Sequence, residues 1–239
     1  MKILTAIRLL LASLVLLGSS ACKKTDPEAE GLSFVNGVPY YHFTDDDQRW
    51  LKTKSGDEWK MVNASGYQRV YRAGIIQTLQ GENESTSSGI PGHTKLLNYY
   101  DQVTLGISRT DSSRGGGSLR FYRDAAMLTN LNSGGSDRNT SRFYAEGEWY
   151  EFVGNTDLIS DYYSCRGLKF PNGAALNGPF QQLTVRGRQY NDVVAFIGTS
   201  RGSTCGPMPS FYMQELYYDR QAGLVRLVSL AGEVWDRVP

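Results

Sequence analysis

The chain is poor in the residues on which most enzyme active sites draw. Of its 239 residues, 2 are His and 3 are Cys. It contains no G-x-x-x-x-G-K-[ST] phosphate loop, no G-x-G-x-x-G turn and no H-E-x-x-H pair. His42 lies in Tyr40-Tyr41-His42-Phe43, alternating with aromatics as a strand residue does, and His93 lies in a Gly/Pro loop. A Ser-His-Asp triad would have to use one of these two. There is no C-x-x-C and no His beside a Cys, so a zinc site is not expected. Asp45-Asp46-Asp47 departs from the D-x-[DN]-x-[DN]-G calcium loop and reads better as helix capping. No metal and no cofactor is expected.

An excess of one charge is also missing. Lys and Arg number 25, Asp and Glu 24. Lys2 and Arg8 fall in a removable segment, which leaves 23 basic against 24 acidic residues. Nucleic-acid binding draws on a basic surplus, so no such partner is expected. The apolar share, 40%, is that of a globular chain rather than a disordered one.

What is present begins at the N-terminus. Residues 1–8 carry Lys2 and Arg8, Leu9 to Leu17 is apolar, and Gly18-Ser19-Ser20-Ala21 is small. This is the three-part pattern of a secretory signal over residues 1–21. The apolar run is too short to span hydrocarbon, which takes about 20 residues. Cys22 follows directly. Small residues ending on a Cys resemble the lipobox of bacterial lipoproteins, with Ser19 standing where that motif usually has Leu. The following Lys23-Lys24-Thr25-Asp26-Pro27-Glu28-Ala29-Glu30 is similar to the tails of Bacteroidetes-type outer-membrane lipoproteins. The resemblance implies acylation of Cys22, a palmitate-type lipid anchor and an outer-membrane address, on the periplasmic or the surface face. An unmodified Cys22 in a secreted protein is the alternative. Each buried methylene contributes about 0.8 kcal/mol, so two or three acyl chains hold a protein durably. Residues 22–33 read as the lipidated Cys and a polar tether, and residues 34–239 as one domain.

Two cysteines then remain. An even count in an extracytoplasmic compartment, with loop-like flanks on both, predicts a Cys165–Cys205 disulfide. Two separate free thiols are the alternative.

The domain has a period of two. Val103-Thr104-Leu105-Gly106-Ile107-Ser108 and Gln182-Leu183-Thr184-Val185-Arg186 alternate cleanly. Val193 to Ile197 is continuously apolar, as in a strand covered on both faces. Short turns such as Asn63-Ala64-Ser65-Gly66 and Asp219 to Gly223 join strand runs, which implies antiparallel pairing. The expected fold is mainly β, a curled antiparallel sheet (open barrel or sandwich) with one short helix near residues 44–51. Thr44 would cap that helix, with three acids at its positive end. Asp124 to Leu131 reads locally as a second helix. Gly81–His93, Asp111–Gly117 and Asn132–Ser141 read as long polar loops.

A second resemblance rests on Tyr190-Asn191-Asp192-Val193 followed by Glu215 to Arg226, which contains Tyr217-Tyr218-Asp219 and Gly223-Leu224-Val225. This is similar to the closing module of many bacterial lipoproteins, a strand of type Y-x-D-V and a hairpin of type Y-Y-x-x-x-x-G-L-V. It implies a curled antiparallel sheet and transfers no catalytic residue.

Three functions follow as expectations. The first is a non-catalytic, lipid-anchored binding or envelope-interaction module whose partner is a glycan, an apolar ligand or an envelope protein. It rests on the 15 Tyr, several in pairs, of which one member would face the core and the other the outside. Tyr99, Tyr100, Tyr162 and Tyr163 flank long loops and are the places to look. The second is a hydrolase using Glu146 and Glu148, which share a strand face, since glycoside hydrolysis needs two carboxyls about 5–10 Å apart. Solvated charge beside a glycine turn is the plainer reading of that pair. The third is a purely structural envelope lipoprotein.

Overall fold

Residues 31–83, 96–111, 115–127, 136–150, 167–170, 176, 180–200 and 210–238 are described by the structure, a computed structural model. Cys22, His93, Tyr162, Tyr163, Cys165 and Cys205 lie outside them.

The two-residue period becomes strands almost throughout. In chain order these are β1 (Leu32–Val35), β2 (Val38–Tyr41), the helix α1 (Asp45–Gln48), β3 (Glu58–Asn63), β4 (Gln68–Asn83), β5 (Leu96–Arg109), β6 (Gly116–Met127), β7 (Ser136–Tyr150), β8 (Gly167–Phe170), β9 (Gln181–Val185), β10 (Arg188–Ile197), β11 (Thr199–Ser200), β12 (Met213–Asp219), β13 (Gly223–Ser229) and β14 (Val234–Arg237). They form one sheet in the order β11-β8-β7-β6-β5-β4-β3-β14-β13-β12-β10-β9. The β1–β2 hairpin joins it through β2 and β5. Asn36 and Gly37, both at positive φ, make its two-residue turn, whose twist matches that of the strands.

The sheet is mixed rather than wholly antiparallel. β2 and β5 run parallel, Tyr40 beside Tyr99 and Tyr41 beside Tyr100. The chain folds β3 and β4 between them, a long crossover of the kind parallel pairing requires. The sheet also starts at Leu32, inside the segment read as tether, because Leu32 packs with Tyr41 and Ala125.

The sheet is strongly curled without closing into a barrel. Its two ends come together at Gly198, the single residue between β10 near one end and β11 at the other. Phe196 of β10 packs against Phe170 of β8 across that junction. The concave face holds the main core, which includes Trp59, Tyr71, Leu105, Phe121, Trp149 and Leu216. Along β10, Val193 is buried on one face and Phe196 on the other, with a bulge between Tyr190 and Val193. The continuous apolar run is thus packed on both sides through most of its length.

α1 stands where expected but is a single turn. Thr44 accepts from the Asp47 amide at 3.3 Å while the Asp47 carboxylate accepts from the Thr44 amide at 2.8 Å, a reciprocal capping box. The second predicted helix does not form over Asp124–Met127. Those residues continue β6, and Asp124 pairs with Arg142 of β7. Ladder pairing on a covered sheet outweighs the few tenths of a kcal/mol per residue that helix propensity offers. β4 and β7 likewise extend into the segments read as polar loops. No helix among the described residues is long and apolar enough to cross a membrane.

Candidate functional site: the mouth of the curled sheet

β4 and β5 outrun the core. Tyr71, Ala73 and Ile75 of β4 fill the concave face, and by alternation Gln77 and Leu79 continue it outward. Leu79 is 59% exposed. On β5 the concave positions pass from Ile107, Leu105 and Val103 to Asp101 and Tyr99. Tyr40, brought alongside Tyr99 by the parallel pairing, donates its phenol to Asp101 at 2.7 Å. The other Asp101 oxygen accepts from the Phe43 amide at 3.0 Å. Burial and the Asp101 carboxylate push the Tyr40 phenol up to about 12, so it remains a donor across the physiological range. The His42 ring lies 5.7 Å from that of Tyr40.

Residues 42–53 then run across the concave face. Phe43 meets Phe143 edge-on at 5.8 Å. Asp47, buried, pairs with Arg123 of β6 at 2.8 Å, and Arg123 also donates to Ser141 at 3.0 Å. Arg220 donates to the Asp46 carbonyl at 2.9 Å, pairs with the Asp46 carboxylate and lies over the Trp50 ring. Thr53 and Tyr218 share a hydrogen bond of 2.9 Å. Between this strap and the sheet is a cavity of about 100 Å³, lined by Leu51, Val103, Leu105 and Phe121 with Gln48 and Gln77 at its polar side. Whole small-molecule sites run to roughly 300–1,000 Å³. The cavity therefore holds one small apolar group, and the remainder of a ligand would lie outside it, toward Leu79, Tyr99 and Tyr40.

Tyr99 and Tyr100 take opposite faces, as do Tyr217 and the buried Tyr218. On the convex face Tyr100, Tyr122 and Tyr144 form a ladder across β5, β6 and β7, with ring centroids 6.0 and 5.4 Å apart. Tyr122 and Tyr144 are themselves buried, so this ladder is packing rather than an open stacking platform. Arg120 lies over the Tyr122 ring.

The two glutamates also sit on the convex face, since Ala145 and Trp149, which flank the pair on either side, enter the core. Glu146 forms an ion pair with Arg120, directly opposite on β6. Glu148 is in register with Ser118 and Lys169. Asp124, further along β6, has a strongly perturbed carboxyl. Burial raises it to about 6, and the Glu82 charge adds to this, against hydrogen bonds from the Ala125 amide at 2.7 Å and Asn98 at 3.1 Å. No cluster of His, Cys, Asp and Glu able to hold a metal occurs among the described residues.

Tyr190–Phe196 and Glu215–Arg226 meet at a polar cleft of about 320 Å³ beside Arg188, Asn191, Asp192 and Gln221. Their polar groups serve the corner itself. Asp219 accepts from the amides of Gln221 at 3.0 Å and Ala222 at 2.7 Å. The Arg220 amide donates to the Asp192 carbonyl at 3.0 Å. Gly223 has φ +78, and a Cβ there would come within 3.0 Å of Thr53 and the Trp59 ring.

Asp101, Arg123 and Arg220 organise the mouth and were not singled out from sequence. Arg123 had a signal: it is a charge on the core-facing side of the alternating run Ser118–Arg123. Asp101 had none, because its partners lie about 60 positions away. Compared with family models, with curated proteins and with solved structures, the chain matches none.

Proposed function

We propose that this chain is a lipid-anchored protein of the bacterial outer membrane, held through acyl chains on Cys22, and that it works as a non-catalytic binding or envelope-interaction module. The anchor reading rests on residues 1–30, which resemble a lipoprotein signal and tail. The binding reading is carried by one observation, the shelf of Tyr40, Tyr99 and Leu79 beside a small apolar cavity at the mouth. Half-buried tyrosines next to an apolar recess, with a few fixed polar groups, are what a shallow recognition site needs. Its ligand is an envelope glycan, an apolar group or a segment of an envelope protein. A stacked aromatic contributes about 0.5–1.5 kcal/mol beyond its area burial, so binding through two of them is weak to moderate.

The anchor is tested by Cys22→Ser, which should release the chain into the soluble fraction and abolish palmitate labelling. Unchanged membrane attachment would overturn it. For the mouth, peptidoglycan fragments and envelope extracts are titrated against the Cys22→Ser chain and its Tyr99→Ala variant. Binding should weaken about threefold to tenfold in the variant. Turnover of a glycan or ester that is lost in Glu146→Gln or Glu148→Gln would replace this reading with the hydrolase.

A further inference from the structure

The β1–β2 hairpin outruns the surface that covers its base. At the base Leu32 lies opposite Tyr41, and both are buried with Ala125. β2 meets β5 only at Tyr40 and Tyr41. The two outer rungs, Phe34 with Pro39 and Val35 with Val38, pair with no other strand among the described residues. Phe34 is 63% exposed and Val35 43%. Successive strand residues point to opposite faces, so Phe34 and Pro39 lie on the side of Tyr41, and Val35 and Val38 on the side of Tyr40.

A protein surface laid against this tip covers one of its faces, whereas a lipid interface surrounds both. The composition suits that medium, since Gly31 to Phe43 contains no Asp, Glu, Lys or Arg. The turn residues Asn36 and Gly37 are both at positive φ, so the tip is preformed and loses little backbone freedom on docking. The hairpin is also the first described element after Cys22. Nine residues lie between Cys22 and Leu32. No conformation of that stretch carries β1 more than about 35 Å from the point of acylation. Weak insertion then suffices, because an anchor on Cys22 keeps the tip at a high local concentration beside the bilayer.

We propose that the tip of the β1–β2 hairpin is a membrane foot, through which Phe34, Val35, Val38 and Pro39 enter the interface of the bilayer that holds the acyl chains. This rests on the anchor at Cys22. β2 runs parallel to β5, so the hairpin tip lies on the outward side of Tyr99. Docking by the tip therefore turns the mouth of the sheet toward the bilayer.

The test uses the acylated full chain, purified in detergent and reconstituted into vesicles of phosphatidylethanolamine and phosphatidylglycerol, with and without phospholipid brominated on its acyl chains. Trp50, Trp59, Trp149 and Trp235 are all buried, so an added indole reports its own site. Phe34→Trp should lose emission at least about twofold to the brominated lipid, because an interfacial segment sits about 5–10 Å into the headgroup/acyl boundary. Tyr67 is 70% exposed and stands before the start of β4, whose far end is the one level with the hairpin. Tyr67→Trp should therefore keep its emission. Adding Val35→Asp, which puts a charge into the tip, should restore most of the Phe34→Trp emission. Quenching of Phe34→Trp no greater than that of Tyr67→Trp, in chains that float with the vesicles, overturns the proposal and leaves the anchor standing. So does quenching unmoved by Val35→Asp. So does a Phe34→Trp emission already blue-shifted in the soluble Cys22→Ser chain, as it would be if a second copy covered the tip. A chain that carries no acyl group and does not float overturns the anchor, and this proposal with it.

Discussion

Asp47 and Arg123 link α1 to β6 through two buried, opposite charges, and separating them should cost far more than replacing both. Asp47 accepts from Arg123 and from the Thr44 amide, each at 2.8 Å, and both side chains are nearly sealed from solvent. Asp47→Ala takes the carboxylate away from a buried guanidinium, which keeps its bond to Ser141. Breaking a buried pair from one side costs about 3–5 kcal/mol, and the lost capping contact adds about 1 kcal/mol. Arg123→Met strands the carboxylate and falls in the same range, eased by the capping bond that remains. The double variant Asp47→Leu/Arg123→Met removes both charges and keeps the volume, a change that is often close to neutral. In urea, where m for a chain of this size is about 2–3 kcal/mol/M, each single variant should lower the midpoint by about 1–3 M at unchanged m. The double variant should recover most of that loss. Single variants within about 0.3 M of the parent, or a double variant that loses the sum of the two singles, would show that the pair does not hold the strap down.

Asp124 gives a pH signature. Its folded-state carboxyl titrates near 6, above the ordinary 3.8. Between these values the folded state holds the proton more tightly, so stability falls as pH rises through the window and levels off above it. Asp124→Asn should match the parent near pH 4 and exceed it at pH 7 by about 1 kcal/mol, allowing for partial solvent screening. A parent-to-variant difference that is the same at both pH values would refute this. Non-reducing peptide mapping of the folded chain should yield a Cys165–Cys205 cross-link, and two thiols freely alkylated in the folded, unreduced protein would exclude it.

The sequence carried the fold wherever the period of two was local. β5 and β9 follow directly from alternating runs, and α1 from Thr44 and the acids after it. It misled where two local signals competed. Asp124-Ala125-Ala126-Met127 has helical propensity, but β7 offers a ladder that no short-range pattern announces. The parallel β2–β5 contact was equally hidden, because it depends on where β3 and β4 lie. At the mouth, the Tyr99/Tyr100 split was legible from alternation alone. Which tyrosine would be open was not, since the convex-face ladder buries Tyr122 and Tyr144 against each other. Charged residues were hardest to read. Glu146 drew attention by spacing and proved to be paired with a cross-strand Arg, while Arg123 and Asp47, 76 positions apart, form the contact that fastens the strap.

β14 is the seam of this sheet. β3 to β8 are neighbours in one run and β9, β10, β12 and β13 in another, and four residues, Val234–Arg237, lie between them. Apart from the two-residue pairing of β11 with β8, no other strand pairing among the described residues joins the halves. Asn63 meets Trp235 across most of the chain. Each half can zip up as its own residues emerge during synthesis. They cannot be stitched together until residue 237 has emerged. Until then Trp59 and Met61 sit on a strand with a bare edge, and closing so long a loop is slow. The sheet is thus exposed to mispairing until β14 arrives.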